Sequence, residues 1–117
     1  MQVNSATAVS TSYYEKADCL LVTPQYIRFG EVKLGENLHK KIEVFNPLDH
    51  EIEVNAYSMN ESFIIGSRNT VKIKPGGTAN FVIIFAPITN TYMNSQIRFN
   101  SDSTCRGYIT VSGKGKE

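Results

Sequence analysis

The side chains best suited to chemistry in this sequence are few and poorly placed for it. Catalysis needs a nucleophile or an acid–base pair in a shaped, partly desolvated site. The two histidines, His39 and His50, fall at opposite ends of one expected strand, too far apart to share a ligand. The cysteines are Cys19 and Cys105. Arg106 follows Cys105, and its charge would favour a thiolate, but a hairpin cysteine with no role is the plainer reading. Neither CxxC nor HxxxH spacing occurs, so no metal centre is expected. The "GKGK" near the end lacks the strand–loop–helix context of a phosphate loop. These residues point to no enzyme, no cofactor and no small-molecule substrate.

The totals narrow the class. A chain of 117 residues fits one domain, long enough to bury a core without staples. Hydrophobic residues make up 41% and charged residues 20%, a globular composition. The net charge of +1 gives no field that would draw nucleic acid or an anionic membrane. The basic runs His39-Lys40-Lys41 and Lys114 to Lys116 read as solvated ends. No run approaches the ~20 apolar residues of a membrane span. The opening "MQVNSATAVSTSYYEKAD" lacks a basic n-region and an apolar core, so it is not read as a signal peptide. Residues 1–18 are expected to be a linker or N-terminal extension, and 19–117 the domain. A linker at one end and a bare strand at the other suggest a module of a longer protein. A small secreted domain would be richer in cysteine, so the count leans towards a reducing compartment with both thiols free. The competing reading is one disulfide between the first strand and the last hairpin of a secreted sandwich. Asn60-Glu61-Ser62 is a formal glycosylation sequon of little weight.

The elements that would position any site are strands, because the chain alternates throughout with period two. Leu38, Ile42 and Val44 share one face, with Lys41, Glu43 and Phe45 on the other. Ile52, Val54 and Ala56 repeat the pattern, as do Phe81, Ile83 and Phe85, then Ile97 with Phe99, then Ile109 with Val111. Shorter strands are expected at 20–23, 63–65 and 71–74. "NPLDH", "KPGGT", "APITNTY" and "NSDSTCRG" supply turns. Seven or more short strands predict an all-β, immunoglobulin-like antiparallel sandwich. Gly30 and Gly35 are expected to flank the corner where the first strand changes sheets, with Phe29 closing the sandwich end.

One ordered set of residues carries a resemblance. It runs from Pro24 through Phe29-Gly30-x-Val32 and Gly35 to a strand ending at Asn46. Phe63-Ile64 and the Pro75-Gly76 turn follow, then Phe85-x-Pro87 and Gly113-x-Gly115. This resembles the ASH domain of the abnormal-spindle, spindle-defective and hydin proteins, related to major sperm protein and PapD-like sandwiches. It covers about residues 20 to 115. The resemblance implies a cytoplasmic, non-enzymatic module of large centrosomal, basal-body or ciliary proteins, with a spindle-defective-type centrosomal scaffold as the preferred parent. Related domains of membrane-contact adaptors bind acidic phenylalanine-containing peptides through a Lys-Thr-Thr-rich strand. "KKIEVFNPLDHEIEV" is acid-rich and lacks that motif, so this activity does not carry over. Nor does any residue pair here match the basic carboxylate anchor of PapD-type chaperones.

The expected surface offers more than the expected chemistry. In an immunoglobulin-type sandwich the second and fifth strands are neighbours. Phe45 faces outward on the former, Val82 and Ile84 on the latter, which predicts an apolar patch where a solvated face belongs. A protein partner, or the linker through Tyr13 and Tyr14, would cover it. Three functions are compatible with this: an interaction module of a centrosomal or ciliary scaffold, a passive spacer in a chain of sandwiches, or an extracellular or periplasmic immunoglobulin-like domain.

Overall fold

The structure is a computed structural model and describes residues 18–117; the region 1–17, with Tyr13 and Tyr14, lies outside the described residues. Nine strands follow one another: β1 (Leu21–Thr23), β2 (Tyr26–Lys33), β3 (Leu38–Phe45), β4 (Ile52–Ser58), β5 (Phe63–Ile65), β6 (Thr70–Ile73), β7 (Thr78–Phe85), β8 (Tyr92–Ser101) and β9 (Arg106–Lys116). They form a four-stranded sheet in the order β1-β3-β7-β5 and a five-stranded sheet in the order β2-β9-β8-β4-β6. The pairs are antiparallel except β2 with β9, which run parallel. That pair is possible because nearly the whole domain lies between the two strands, ample length for the crossover a parallel neighbour needs.

The alternation that predicts the strands also fills the core. Ile42, Val44, Phe81, Ile83, Phe85, Ile97, Phe99, Ile109 and Val111 are all buried. Phe29, Phe63 and Phe85 cluster, with ring centroids 4.8 Å apart for Phe63–Phe85 and 5.6 Å for Phe29–Phe85. Leu38 departs from the expectation. It starts β3 opposite the buried Phe85, at the rim of the sandwich, and is exposed.

The change of sheet also lies elsewhere than expected. β1 belongs to one sheet and β2 to the other, so the chain crosses at Pro24 and Gln25. Proline has no N–H for a ladder, so it ends β1 there. Gly30, with φ +72°, sits instead in a bulge of β2, where the register with β9 shifts between Arg28 and Glu31. Gly35 lies in the turn before β3.

Two of the short motifs acquire a physical meaning. Asn46 is fully buried at the end of β3. Its side-chain amide donates to the carbonyls of His50, Ile73 and Lys74 at 2.9–3.1 Å, and its Oδ1 accepts from the Leu48 N–H. Its backbone exchanges hydrogen bonds with Gly76 and Gly77. One residue therefore ties the Asn-Pro turn to the Pro-Gly turn. Phe85-x-Pro87 and Gly113-x-Gly115 are two sides of one contact. A Cβ on Gly113 would collide with the Phe85 ring, and one on Gly115 with Thr89 O and Pro87.

The expectation of two free thiols is corrected. Cys19 and Cys105 form a disulfide, with Cα atoms 5.1 Å apart. The chain just before β1 runs along the start of β9: the Leu20 N–H donates to Arg106 O at 3.1 Å, and Asp18 pairs with Arg106 at 3.0 Å. That alignment places the two thiols within bonding geometry.

Candidate interaction surface

β3 and β7 are neighbours along their full length, so Phe45, Val82 and Ile84 all lie on the outer face of the four-stranded sheet. The register divides them. Phe45 stands opposite Thr78, whereas Val82 stands opposite Lys41 and Ile84 opposite His39. Thr78 and Val82 are four residues apart, roughly 13 Å of strand, with Glu43 and Asn80 between. The single patch expected from the alternation is two groups. Phe45 is paired with Leu21 of β1. Val82 and Ile84 are grouped with Ile64 of β5, which lies directly opposite Ile84.

Local backbone shapes the second group. After β5 the chain continues beside β7: the Gly66 N–H donates to Val82 O at 2.8 Å, and the Val82 N–H to Ser67 Oγ at 3.1 Å. Ile84 lies across Gly66 so closely that a Cβ there would overlap its side chain. Val82, Ile84 and Phe45 are half-buried, while Ile64 and Leu21 are exposed, at 43% and 55%. Ile64 and Leu21 escaped the sequence reading. Each sits in a three-residue strand, too short to show alternation, although the outward place of Ile64 beside the inward Phe63 follows once Phe63 is known to be buried.

One arrangement imitates catalytic geometry. Asp49 Oδ1 lies 3.1 Å from His50 Nδ1, and His50 Nε2 lies 3.3 Å from Ser103 Oγ. The contact with His50 lowers the Asp49 carboxyl below its usual value. This Asp–His–Ser chain is solvent-exposed, and the Ser103 N–H is committed to Ser101 Oγ at 3.1 Å. It lacks both the desolvation and the paired donors that stabilise an oxyanion. His39 contacts Asn37 instead, at 2.9 Å. Among the described residues no group of three His, Cys, Asp or Glu is placed to hold a metal ion, and no helix is long and apolar enough to cross a membrane.

The sequence model of the family described as "Abnormal spindle-like microcephaly-assoc'd, ASPM-SPD-2-Hydin" matches residues 19–109. The chain belongs to the ASH family. Solved structures agree on the fold of this ASH module. The ASH / PapD-like domain 7 of human CEP192 superposes with a TM-score of 0.72 at 14% identity, covering 84% of this chain and 85% of that one. WR4, a Caenorhabditis elegans member of the major sperm protein family, gives 0.60 at 12% identity, covering 86% and 100%. The Escherichia coli chaperone DraB gives 0.63 at 9% identity, covering 84% of this chain and 56% of the chaperone. At these identities the likeness is one of fold. No curated protein matches the chain. The ASH module thus has the fold of protein-interaction domains.

Proposed function

We propose that this ASH module is a non-enzymatic protein–protein interaction domain of a larger scaffold at the centrosome or the ciliary basal body, and that it contributes to centrosome or centriole assembly. The observation that carries the reading is the group Ile64, Val82 and Ile84 on the outer face of the four-stranded sheet, where a solvated face would carry polar side chains. Full burial of an exposed side chain of this kind releases roughly 1.5–3 kcal/mol, and the part still to be gained here, summed over the three, is enough to anchor a modest contact. Phe45 with Leu21 forms a second, separate group on the same face. The kinship with a CEP192 domain supports the centrosomal setting. The test is affinity capture from centrosome-enriched extract with wild type and with Val82→Thr/Ile84→Thr, which keeps β-branching. A specific centrosomal protein retained by wild type and lost by the variant is the expected result. Equal capture by both would move the contact off this group, and capture by neither favours the passive spacer.

The Cys19–Cys105 bridge favours a second reading, an immunoglobulin-like domain outside the cytoplasm, since such bridges persist in oxidising compartments. Differential alkylation of the two cysteines in the protein taken directly from cells separates the readings. Two alkylated thiols support the cytoplasmic scaffold, and a protected pair supports the extracytoplasmic domain.

A further inference from the structure

The outer face of the five-stranded sheet is chemically unlike the apolar surface just described. Strand alternation and the observed registers place Arg28 and Lys33 on it from β2, Lys72 from β6 and Arg98 from β8. Arg106, Lys114 and Lys116 come from β9. Seven of the chain's twelve basic side chains thus share one face, with two of its eleven acidic ones, Glu31 and Glu53. Asp18 neutralises Arg106 at the sheet's end, and Glu31 is shared by Lys114 and Lys116 at 4.0 and 3.7 Å. A molecule whose net charge is only +1 therefore concentrates its positive charge on one side.

Tyrosines are interleaved with those charges. Tyr57, Arg98 and Tyr108 stand side by side across β4, β8 and β9. Four residues further along β9, the Arg28 guanidinium lies 5.0 Å over the ring of Tyr26, whose hydroxyl donates to Ser112 Oγ at 3.4 Å. Hydrogen bonds that the phenolate can accept, from the Ser112 hydroxyl and then from Arg28, hold the Tyr26 phenol below its usual value. Beside Arg28 a recess of about 200 Å³ opens between Tyr92, Ser112, Lys114 and the acidic Glu31. All four tyrosines are exposed. Tyrosine and arginine are the residues that dominate binding energy at interfaces, because rigid rings exclude water around a forked, permanently charged donor.

We propose that this face is a docking surface for an extended acidic segment of a protein partner, with Arg98 and Arg28 as its two anchors. Arg28 and Arg98 are separated by four residues along β9 and by two strands, roughly 16 Å on the standard spacings, a span of about five residues of extended chain. Carboxylates at alternate positions of such a segment recur at the same two-residue spacing as the outward rows of the sheet. A nucleic-acid strand fits less well. The face of Tyr26 on which a base would stack is covered by Arg28.

The decisive experiment titrates the isotope-labelled 117-residue chain with a twelve-residue peptide of alternating glutamate and serine, its lysine–serine counterpart, and a twelve-nucleotide oligouridylate. The expected result is saturable amide shifts confined to β2, β8 and β9 with the acidic peptide alone. Arg28→Gln/Arg98→Gln should weaken that binding at least tenfold, and Val82→Thr/Ile84→Thr should leave it unchanged. The wild-type shift map stands whether or not the arginine variant folds. Absence of saturation at millimolar peptide, shifts centred on the four-stranded sheet, or tighter binding of the oligouridylate would each overturn the proposal. None of these outcomes depends on the apolar surface being a contact site.

Discussion

On the four-stranded sheet the outward side chains are Leu21, Phe45, Val82, Ile84 and Ile64, set among His39, Lys41, Glu43 and Asn80. On the five-stranded sheet they are tyrosines, side-chain amides and seven basic against two acidic groups, with Asp18 pairing one of the seven. Inward, both sheets carry the same Ile, Val and Phe and meet in one core. The inner faces are alike because each must fill the space the other leaves. The outer faces are free of that demand, so their difference reflects what each is exposed to. One is suited to losing water from apolar surface, the other to exchanging water for carboxylates.

The largest expected effect strikes what the two faces share. Phe85 packs against Phe29 and Phe63 and occupies the space left by Gly113. Phe85→Ala should cost about 3–5 kcal/mol in urea denaturation and weaken both sheets together, whereas Lys41→Ala should change stability by about 0.5 kcal/mol or less. Equal small effects would mean that the faces are wrongly divided. Next comes the bridge. It closes a loop of 86 residues, and its reduction should lower stability by about 2–4 kcal/mol. Hydrogen exchange should then speed up at β1 and its partner segment of β3 before it does at β8. Exchange that accelerates uniformly would show that the two sheets do not open separately.

Asn46→Ala removes the amide that serves three carbonyls between the two turns, leaving buried acceptors unpaired, and should cost about 1–3 kcal/mol. The smallest stability effects belong to the outer faces. Val82→Thr/Ile84→Thr and Arg28→Gln/Arg98→Gln should each shift the unfolding midpoint only slightly, by about 1 kcal/mol or less. Each should weaken a different proposed contact. A variant that affected both contacts would show that the faces communicate.

The strands were legible because alternation is a local property and recurs in every long segment. The inward set from Ile42 to Val111 could be read with no knowledge of pairing. What depended on pairing was not legible. The outward places of Phe45, Val82 and Ile84 followed from the pattern, but the four-residue offset that parts Phe45 from the other two is fixed by the β3–β7 register. The sheet change at Pro24 was hidden because Gly30 signals backbone freedom equally well for a bulge or a corner. The tyrosine–arginine row is scattered over residues 57, 98 and 108 and exists only across three strands. Cysteine count pointed to free thiols, and the geometry at the start of β9 decided otherwise.

The position of that bridge also determines how the module would carry tension. Cys105 immediately precedes β9, and Cys19 is separated from β1 by Leu20 alone. A pull entering at Asp18 and leaving beyond Lys116 would pass through the sulfur atoms straight into β9 and along it. β1 to β8 would hang outside the line of force. With the bridge closed, the module should behave under load as a short, nearly inextensible rod. Once it is opened and the strands unfold under load, the 86-residue separation of the two cysteines could pay out roughly 300 Å of chain. A reductant would thus convert a stiff link into a compliant one.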